Sequence, residues 1–306
     1  MQTSLFEKLS FITVYSISSI ATFDLNKYIM KKMDFNMEFL LVTLQCIIIV
    51  YILMMQSLIS KVHIRYSQHK KWYLLSILLT SMMLTGMKAI RYFPPTLFTI
   101  YKNTAIIITA FAELYFFGRQ VTWIALISFL VMIFSSLFGN SIDKVELAGY
   151  LWMTANVIST TAYVLYLKKL MALDLSTRTE SVLFTNLLSA PLTMLLSLLF
   201  DTYTFPPISL KLVILIVLSG VTAYLTSFST AWAMKVLSST SYSMIGALNK
   251  LALSATGFIL FDEKYSNKKM MSLLIGIIAS LIYSLDSAKT LPISQPQQAQ
   301  ETLESH

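Results

Sequence analysis

Ten long apolar runs recur along this chain of 306 residues and constrain its fold more than any other feature. Each has roughly 18–25 residues, enough for a helix to cross the ~30 Å hydrocarbon core of a bilayer. Hydrophobic residues make up 56% of the chain and charged residues 12%, against about 45–50% and about 25% in soluble domains. The sequence therefore predicts an all-α, multi-pass membrane protein with ten transmembrane helices. The predicted segments, numbered 1 to 10, are 10–30, 37–59, 72–92, 95–118, 121–139, 147–167, 180–200, 209–232, 239–261 and 269–286.

The ten segments divide into two sets of five, and a weak internal sequence similarity supports this division. Residues 109–118 close segment 4 and residues 254–263 close segment 9, and each stretch follows a Lys/Asn pair. Halves with an odd number of helices enter the membrane in opposite senses, which gives an inverted repeat with a site near the midplane. We therefore expect one five-helix repeat over 1–145, a second over 146–287, and a disordered cytosolic tail over 288–306.

A single lysine interrupts segment 9, which carries no other charge. An unpaired ammonium at bilayer depth costs ~2.5–3.5 kcal/mol on insertion scales, so Lys250 is expected to meet an anion or to line a water-filled cavity. Helical spacing places it on one face with Tyr242, Gly246 and Asn249. We interpret this face as a site for an anionic solute, because an ammonium suits a phosphate oxygen. The alternative is structural, with Asn249 and the lysine bonded to neighbouring helices or to Glu113.

Three other segments carry polar groups that a solute could contact. Lys102 in segment 4 is a candidate for a second phosphate contact, or a partner of Glu113. Asn186 in segment 7 is a candidate base-reading amide, or a helix–helix hydrogen bond. Ser227 and Thr230 in segment 8 are candidates for a cavity lining, although small hydroxylated residues also let membrane helices pack closely.

The remaining composition argues against several classes of function. The only cysteine, Cys46, lies in segment 2 and can form no internal disulfide. The three histidines do not cluster, so we expect no metal site, no cofactor and no enzyme built on clustered acids or histidines. No Lys/Arg run exceeds two residues, so the net charge of +8 does not predict nucleic-acid binding. Lys and Arg in the loops slightly favour two cytosolic termini.

The motif in segment 9 resembles that of a known family. Residues 246–251 read Gly-Ala-Leu-Asn-Lys-Leu, follow Ser-Thr-Ser-Tyr-Ser-Met at 239–244, and closely resemble the Gly-Ala-Leu-Asn-Lys region of Golgi GDP-mannose transporters. That family belongs to the nucleotide-sugar transporters of the drug/metabolite transporter superfamily. Residues 26–37, 98–103 and 113–118 are similar to the family's first loop and fourth helix. The resemblance covers the whole chain except the tail.

The resemblance implies an antiporter that carries GDP-mannose into the Golgi lumen and returns GMP by alternating access. It implies a multi-pass Golgi protein in the lipid bilayer; the endoplasmic reticulum is an alternative location, and a homodimer is an allowed assembly. It implies that the segment 9 face contacts the phosphate and sugar end, while three residues line the cavity. The residues concerned are Tyr242, Gly246, Asn249 and Lys250 for the former and Tyr15, Ser227 and Thr230 for the latter.

Segment 7 departs from the family pattern. In the family a Phe-Tyr-Asn-Asn motif reads guanine, whereas residues 183–186 here read Leu-Phe-Thr-Asn, so that only Asn186 is retained. This leaves open the same fold with another solute: GDP-fucose, a UDP-sugar or a phosphorylated metabolite. A non-transporting regulatory paralogue and a membrane-embedded enzyme are alternatives of other classes.

Overall fold

Nine helices make up most of the part of the chain that the computed structural model describes. The described residues are 5–60, 70–92, 95–118, 121–138, 146–172, 177–237, 239–242, 245–246, 249 and 267–289. Predicted segments 1–8 and 10 coincide with these helices to within about five residues at each end. The helices are α1 Leu5–Lys32, α2 Glu38–Ser60, α3 Lys70–Tyr92, α4 Pro95–Phe117, α5 Trp123–Phe138, α6 Leu147–Ala172, α7 Arg178–Phe200, α8 Leu210–Val236 and α9 Asn267–Lys289.

Segment 9 keeps its sequence name because the structure describes it only in part. Its described residues, 239–242, 245–246 and 249, are helical, whereas Lys250 lies outside the described residues. The predicted tail 288–306 lies outside them too, apart from its first two residues, which end α9.

Several helices have the length and composition of membrane spans. Their outward faces carry large apolar side chains, such as Leu58, Tyr115 and Trp123, at more than 70% exposure. Such faces are solvated by lipid rather than by water, and the chain is an all-α membrane protein. Among the described residues, three helices are long and apolar enough to cross a bilayer: Glu38–Ile59, Arg178–Phe200 and Leu210–Val236.

Local sequence signals explain where individual helices begin and end. Thr177 and Glu180 form a reciprocal capping box at the start of α7, and the Ser209 side chain accepts from Leu212 N at the start of α8. Gly118 follows α4 with φ 63°, a left-handed conformation that glycine adopts readily and that ends helices.

Contacts between helices establish their directions. α1 runs antiparallel to α8, since Ser18 lies by Thr226 while Tyr28 lies by Lys211. α3–α6, α2–α7 and α5–α9 are also antiparallel pairs, whereas α2–α8 and α3–α7 run parallel. We call the end of the bundle at which α1 begins the N-side, and the opposite end the far side.

The helices that surround the interior approach each other closely at small residues. At Gly220 of α8, an added Cβ would lie only 2.6–2.9 Å from side-chain atoms of Ile48 on α2. Nearby, the Thr43 hydroxyl donates to Thr193 Oγ1 of α7 at 3.0 Å. Close backbone approach through small residues is a usual basis of membrane helix packing, and here it holds α2 between α7 and α8.

Candidate functional site

A cavity of about 200 Å³ lies inside the bundle, between α2, α3, α6, α7, α8 and segment 9. Its apolar walls carry a few hydroxyl and amide groups, as is usual for small-molecule sites. None of the described residues that line it is charged. A charge for an anionic solute would therefore come from residues outside this described lining. The polar lining residues are Gln45, Tyr163, Ser181, Thr185, Asn186, Thr226, Ser227, Thr230 and Tyr242.

A hydroxyl network joins α1, α8 and segment 9 beside this cavity. The Tyr15 hydroxyl donates to the Tyr242 hydroxyl at 3.2 Å, and the Tyr242 and Thr230 hydroxyls are also 3.2 Å apart. The two tyrosine rings pack at a centroid distance of 5.2 Å. Gly246 lies next to this network, since a Cβ there would be 3.6 Å from the Tyr15 hydroxyl oxygen. The structure thus brings together four of the residues that the sequence predicted for the site.

The wall formed by α7 combines two polar residues with an aromatic stack behind them. Asn186 lines the cavity while its Nδ2 donates to Val182 O at 2.8 Å, one turn earlier. Thr185 also lines the cavity, and its buried Oγ1 has no hydrogen-bond partner in the part of the chain that the structure describes. Phe184 stacks on Trp72 of α3 at 5.8 Å and belongs to the apolar core. Of the altered motif, Thr185 and Asn186 therefore line the cavity.

Ser227 of α8 lines the cavity and is half-buried. One turn of small hydroxylated residues around it links α8 to α1: Thr226 Oγ1 donates to Ser18 Oγ at 3.1 Å. These hydroxyls both contact a neighbouring helix and form part of the cavity surface, so close helix packing and cavity lining are compatible in segment 8.

The predicted phosphate contacts are only partly described. Asn249 is buried, and its Nδ2 has no hydrogen-bond partner among the described residues. Lys250 lies outside the described residues, and the side chain of Lys102 does too, although its backbone belongs to α4. Their roles toward a phosphate stay predictions.

Glu113 of α4 contacts the start of segment 9. Its Oε1 accepts from Ser239 N at 2.5 Å, and its Oε2 accepts from Thr240 N at 3.2 Å and from the Thr240 hydroxyl at 2.5 Å. The carboxylate is only 3% exposed. A carboxylate at a helix N-terminus satisfies amides that have no partner within the helix and favours the helix dipole.

Five of the polar lining residues were not among the predicted site residues: Gln45, Tyr163, Ser181, Thr185 and Thr226. Gln45 Nε2 donates to Asn26 Oδ1 at 2.7 Å and to Ser219 Oγ at 3.2 Å, so it links three helices at the cavity wall. An amide in the strongly apolar run of segment 2 was the available signal for it. Tyr163 and Ser181 gave no such signal, because each lies among other hydroxylated residues in its segment.

Fold and cavity together define a helical membrane protein with a cavity between its helices, where hydroxyl and amide groups lie on apolar walls. No family model matches the chain. The GDP-mannose transporter of Aspergillus clavatus is 32% identical over 94% of this chain and 84% of its own length. GDP-mannose transporter 1 of Neosartorya fischeri is 33% identical over 93% and 84%, and the GDP-mannose transporter of Phaeosphaeria nodorum is 31% identical over 94% and 82%. This chain belongs to the GDP-mannose transporter family, as the segment 9 motif predicted.

A solved crystal structure shares the fold. It superposes with a TM-score of 0.74 over 92% of this chain and 97% of its own, at 13% sequence identity. At that identity the likeness concerns the fold alone.

Proposed function

We propose that this protein is a nucleotide-sugar antiporter that carries GDP-mannose into the Golgi lumen and returns GMP. The observation that carries the proposal is the cavity between the helices, whose apolar walls carry hydroxyl and amide groups, together with the hydroxyl network of Tyr15, Thr230 and Tyr242 beside it. Family membership supports a nucleotide-sugar as the solute. We expect Lys250, four residues beyond Gly246 in the sequence, to supply the positive charge that a diphosphate requires.

We propose a bundle of ten transmembrane helices in two inverted halves, 1–145 and 146–287. The helix pairings support it. An inverted repeat exchanges each segment with the one five positions away, where α9 is segment 10. This exchange converts the pair α1–α8 into α6–α3 and the parallel pair α2–α8 into α7–α3. It leaves the pairs α2–α7 and α5–α9 unchanged. Such a relation fits alternating access, in which the halves rock around a central site.

The size of the cavity supports a conformational change during transport. Ligand pockets usually measure roughly 300–1,000 Å³, and the cavity here measures about 200 Å³. A nucleotide-sugar therefore needs a wider opening on one side. Exchange follows from the position of Lys250 in an apolar segment: when the empty cavity closes, an ammonium there loses water without gaining an anion, whereas a bound phosphate offsets that loss.

Uptake into proteoliposomes tests the proposal. Vesicles loaded with GMP should take up labelled GDP-mannose much faster than empty vesicles, and Lys250→Ala should lose this exchange. Lys211→Ala is the matched control, because Lys211 is exposed near the far side, where its Nζ bonds the Tyr28 hydroxyl at 3.1 Å. Equal exchange by Lys250→Ala and wild type would refute the role of the lysine, and equal uptake by empty vesicles would refute antiport.

The wall formed by α7 favours one alternative, the same fold with another nucleotide-sugar. Thr185 offers a single hydroxyl at the cavity where the family motif has an amide. A hydroxyl has one donor hydrogen and an acceptor oxygen, whereas an amide has two donor hydrogens and an acceptor oxygen, so Thr185 offers a base one donor fewer. Competition with free nucleotides separates the two, since GMP inhibits uptake only if guanine is recognised.

A further inference from the structure

Glu113 joins the two proposed halves at the N-side of the cavity. The carboxylate belongs to α4 in the first half, while its three donors belong to Ser239 and Thr240 at the start of segment 9 in the second half. Ser239 and Thr240 are 0% and 1% exposed, so both partners are removed from solvent. Two residues further on, Tyr242 lines the cavity. Any widening of the cavity on this side that separates α4 from segment 9 has to break these hydrogen bonds.

A second carboxylate makes the corresponding contact at the far side. Asp201, directly after α7, accepts from Phe39 N at 3.3 Å and from Leu40 N at 2.9 Å, in the first turn of α2. Here the carboxylate belongs to the second half and the capped helix to the first. Each end of the bundle thus has one acidic side chain from one half that caps a helix of the other half, with the cavity between them.

The end of α8, which precedes the turn that Glu113 caps, is bonded to another helix of its own half. Lys168 of α6 donates from Nζ to Met234 O at 2.8 Å and to Leu237 O at 2.5 Å, at the C-terminal end of α8. A cation at a helix C-terminus and an anion at the next helix N-terminus both favour the helix dipoles. Because α6 is bonded to the end of α8, and Ser239 follows only two residues after Leu237, we expect a separation of the halves to break the Glu113 contact rather than contacts within the second half.

From this arrangement we propose that Glu113 is the N-side latch of the transport cycle: its contact with Ser239 and Thr240 holds the cavity closed on that side, and its release opens the cavity there. The proposal rests on the alternating access proposed above. Hydrogen bonds to a charged group are stronger than neutral ones, and a buried carboxylate is unfavourable without them. Opening therefore requires water to reach the carboxylate, so the latch opens together with hydration of the cavity.

The single cysteine provides a direct measurement of opening. Cys46 lies on the cavity wall and is 2% exposed, and it is the only thiol in the chain. In proteoliposomes of uniform orientation, a membrane-impermeant anionic methanethiosulfonate added on the N-side should modify Cys46 faster in Glu113→Gln than in wild type. We expect about a tenfold or larger rise, because a neutral amide replaces a charged acceptor and presents its own donors to the Ser239 and Thr240 amides.

Two variants control for a purely structural effect. Glu180→Gln removes a buried carboxylate that caps a helix N-terminus at the same end, where Glu180 Oε2 accepts from Thr177 N at 2.9 Å, but that contact lies within one half. Glu180→Gln should leave the rate of Cys46 modification unchanged, whatever its effect on the melting temperature. Asp201→Asn should raise the rate from the far side and not from the N-side.

If Glu113→Gln is not obtained folded, Thr240→Val removes one donor and keeps the carboxylate, and it should give a smaller rise from the N-side. The latch proposal is overturned if a folded Glu113 or Thr240 variant leaves the rate of Cys46 modification from the N-side unchanged. It is also overturned if Glu180→Gln raises that rate as much as Glu113→Gln does. The measurement needs no solute, so failure of the latch and failure of GDP-mannose transport are distinguishable. If the latch proposal is wrong, GDP-mannose exchange is still observed. If the transport proposal is wrong, the expected differences in the rate of Cys46 modification are still observed.

Discussion

The hydroxyl of Tyr242 is the residue-scale feature on which the candidate site depends. It connects Tyr15 of α1 with Thr230 of α8, so three helices meet at one oxygen atom beside the cavity. A tyrosine in such a place offers an aromatic face for packing and a polar tip for a solute or a neighbour.

Replacing this hydroxyl should weaken solute binding without unfolding the protein. Tyr242→Phe keeps the ring packing on Tyr15 and removes two hydrogen bonds. The variant also loses any hydrogen bond from this hydroxyl to the solute, and since one such bond contributes about 0.5–1.5 kcal/mol net, we expect the dissociation constant for GDP-mannose to rise about 2- to 12-fold. Tyr224→Phe is the control, because its hydroxyl bonds Gln56 Oε1 at 3.2 Å outside the cavity lining. Titration calorimetry of both variants checks the difference; equal affinities would contradict it.

Thr185 makes a second residue-scale prediction. Its buried hydroxyl has no partner among the described residues, and an unsatisfied buried polar group is unfavourable by about 1–3 kcal/mol. Thr185→Val has nearly the same shape, so the empty protein should melt at the same temperature or higher, while affinity for the solute should fall. Thermal unfolding with and without GDP-mannose tests both parts. A variant that melts lower when empty, with affinity unchanged, would show that the hydroxyl serves the fold.

At the scale of helices, the close approach of α2 and α8 should depend on Gly220. A methyl group there meets Ile48 at 2.6–2.9 Å, and overpacking of this kind destabilises by about 1–3 kcal/mol. Gly220→Ala should therefore lower the free energy of unfolding, and Ile48→Ala in the same chain should restore part of it. Gly246→Ala is the contrast, because its methyl would lie 3.6 Å from the Tyr15 hydroxyl oxygen; it should fold normally. Additive losses in the double variant would contradict direct contact.

Helix positions could be predicted well from sequence because apolar runs of bilayer length leave little choice. The ends of the helices were predicted less accurately from the sequence. Segment 6 was predicted to end at 167, yet α6 continues to Ala172, because Lys168 finds carbonyl partners at the end of α8 that its own sequence does not reveal. Likewise, the motif in segment 9 identified Tyr242 and Gly246, but Tyr163 could not be found, since the face of an apolar helix that turns inward is decided by its neighbours.

At the scale of the whole molecule, solute binding should stabilise the folded bundle. A ligand at 100 times its dissociation constant adds ~2.7 kcal/mol to the free energy of unfolding. We expect this shift with GDP-mannose and GMP and a smaller one with UMP at the same concentration, because family membership indicates a GDP-sugar. Melting curves of the purified protein with this set of nucleotides check it. Stabilisation by UMP but not by GMP would indicate a different nucleotide-sugar.

Helix α9 packs chiefly against α5, and α5 meets the other described helices mainly through α4. Serine hydroxyls at 135 and 272 each bond the other's carbonyl, so the two helices form a tight pair beside the ring around the cavity. A fluorescent label joined after Lys289 would therefore lie on a helix pair that stands beside the helices around the cavity. Paired with a second dye on the opposite flank, it could report the proposed rocking of the two halves in living cells while leaving the cavity unobstructed.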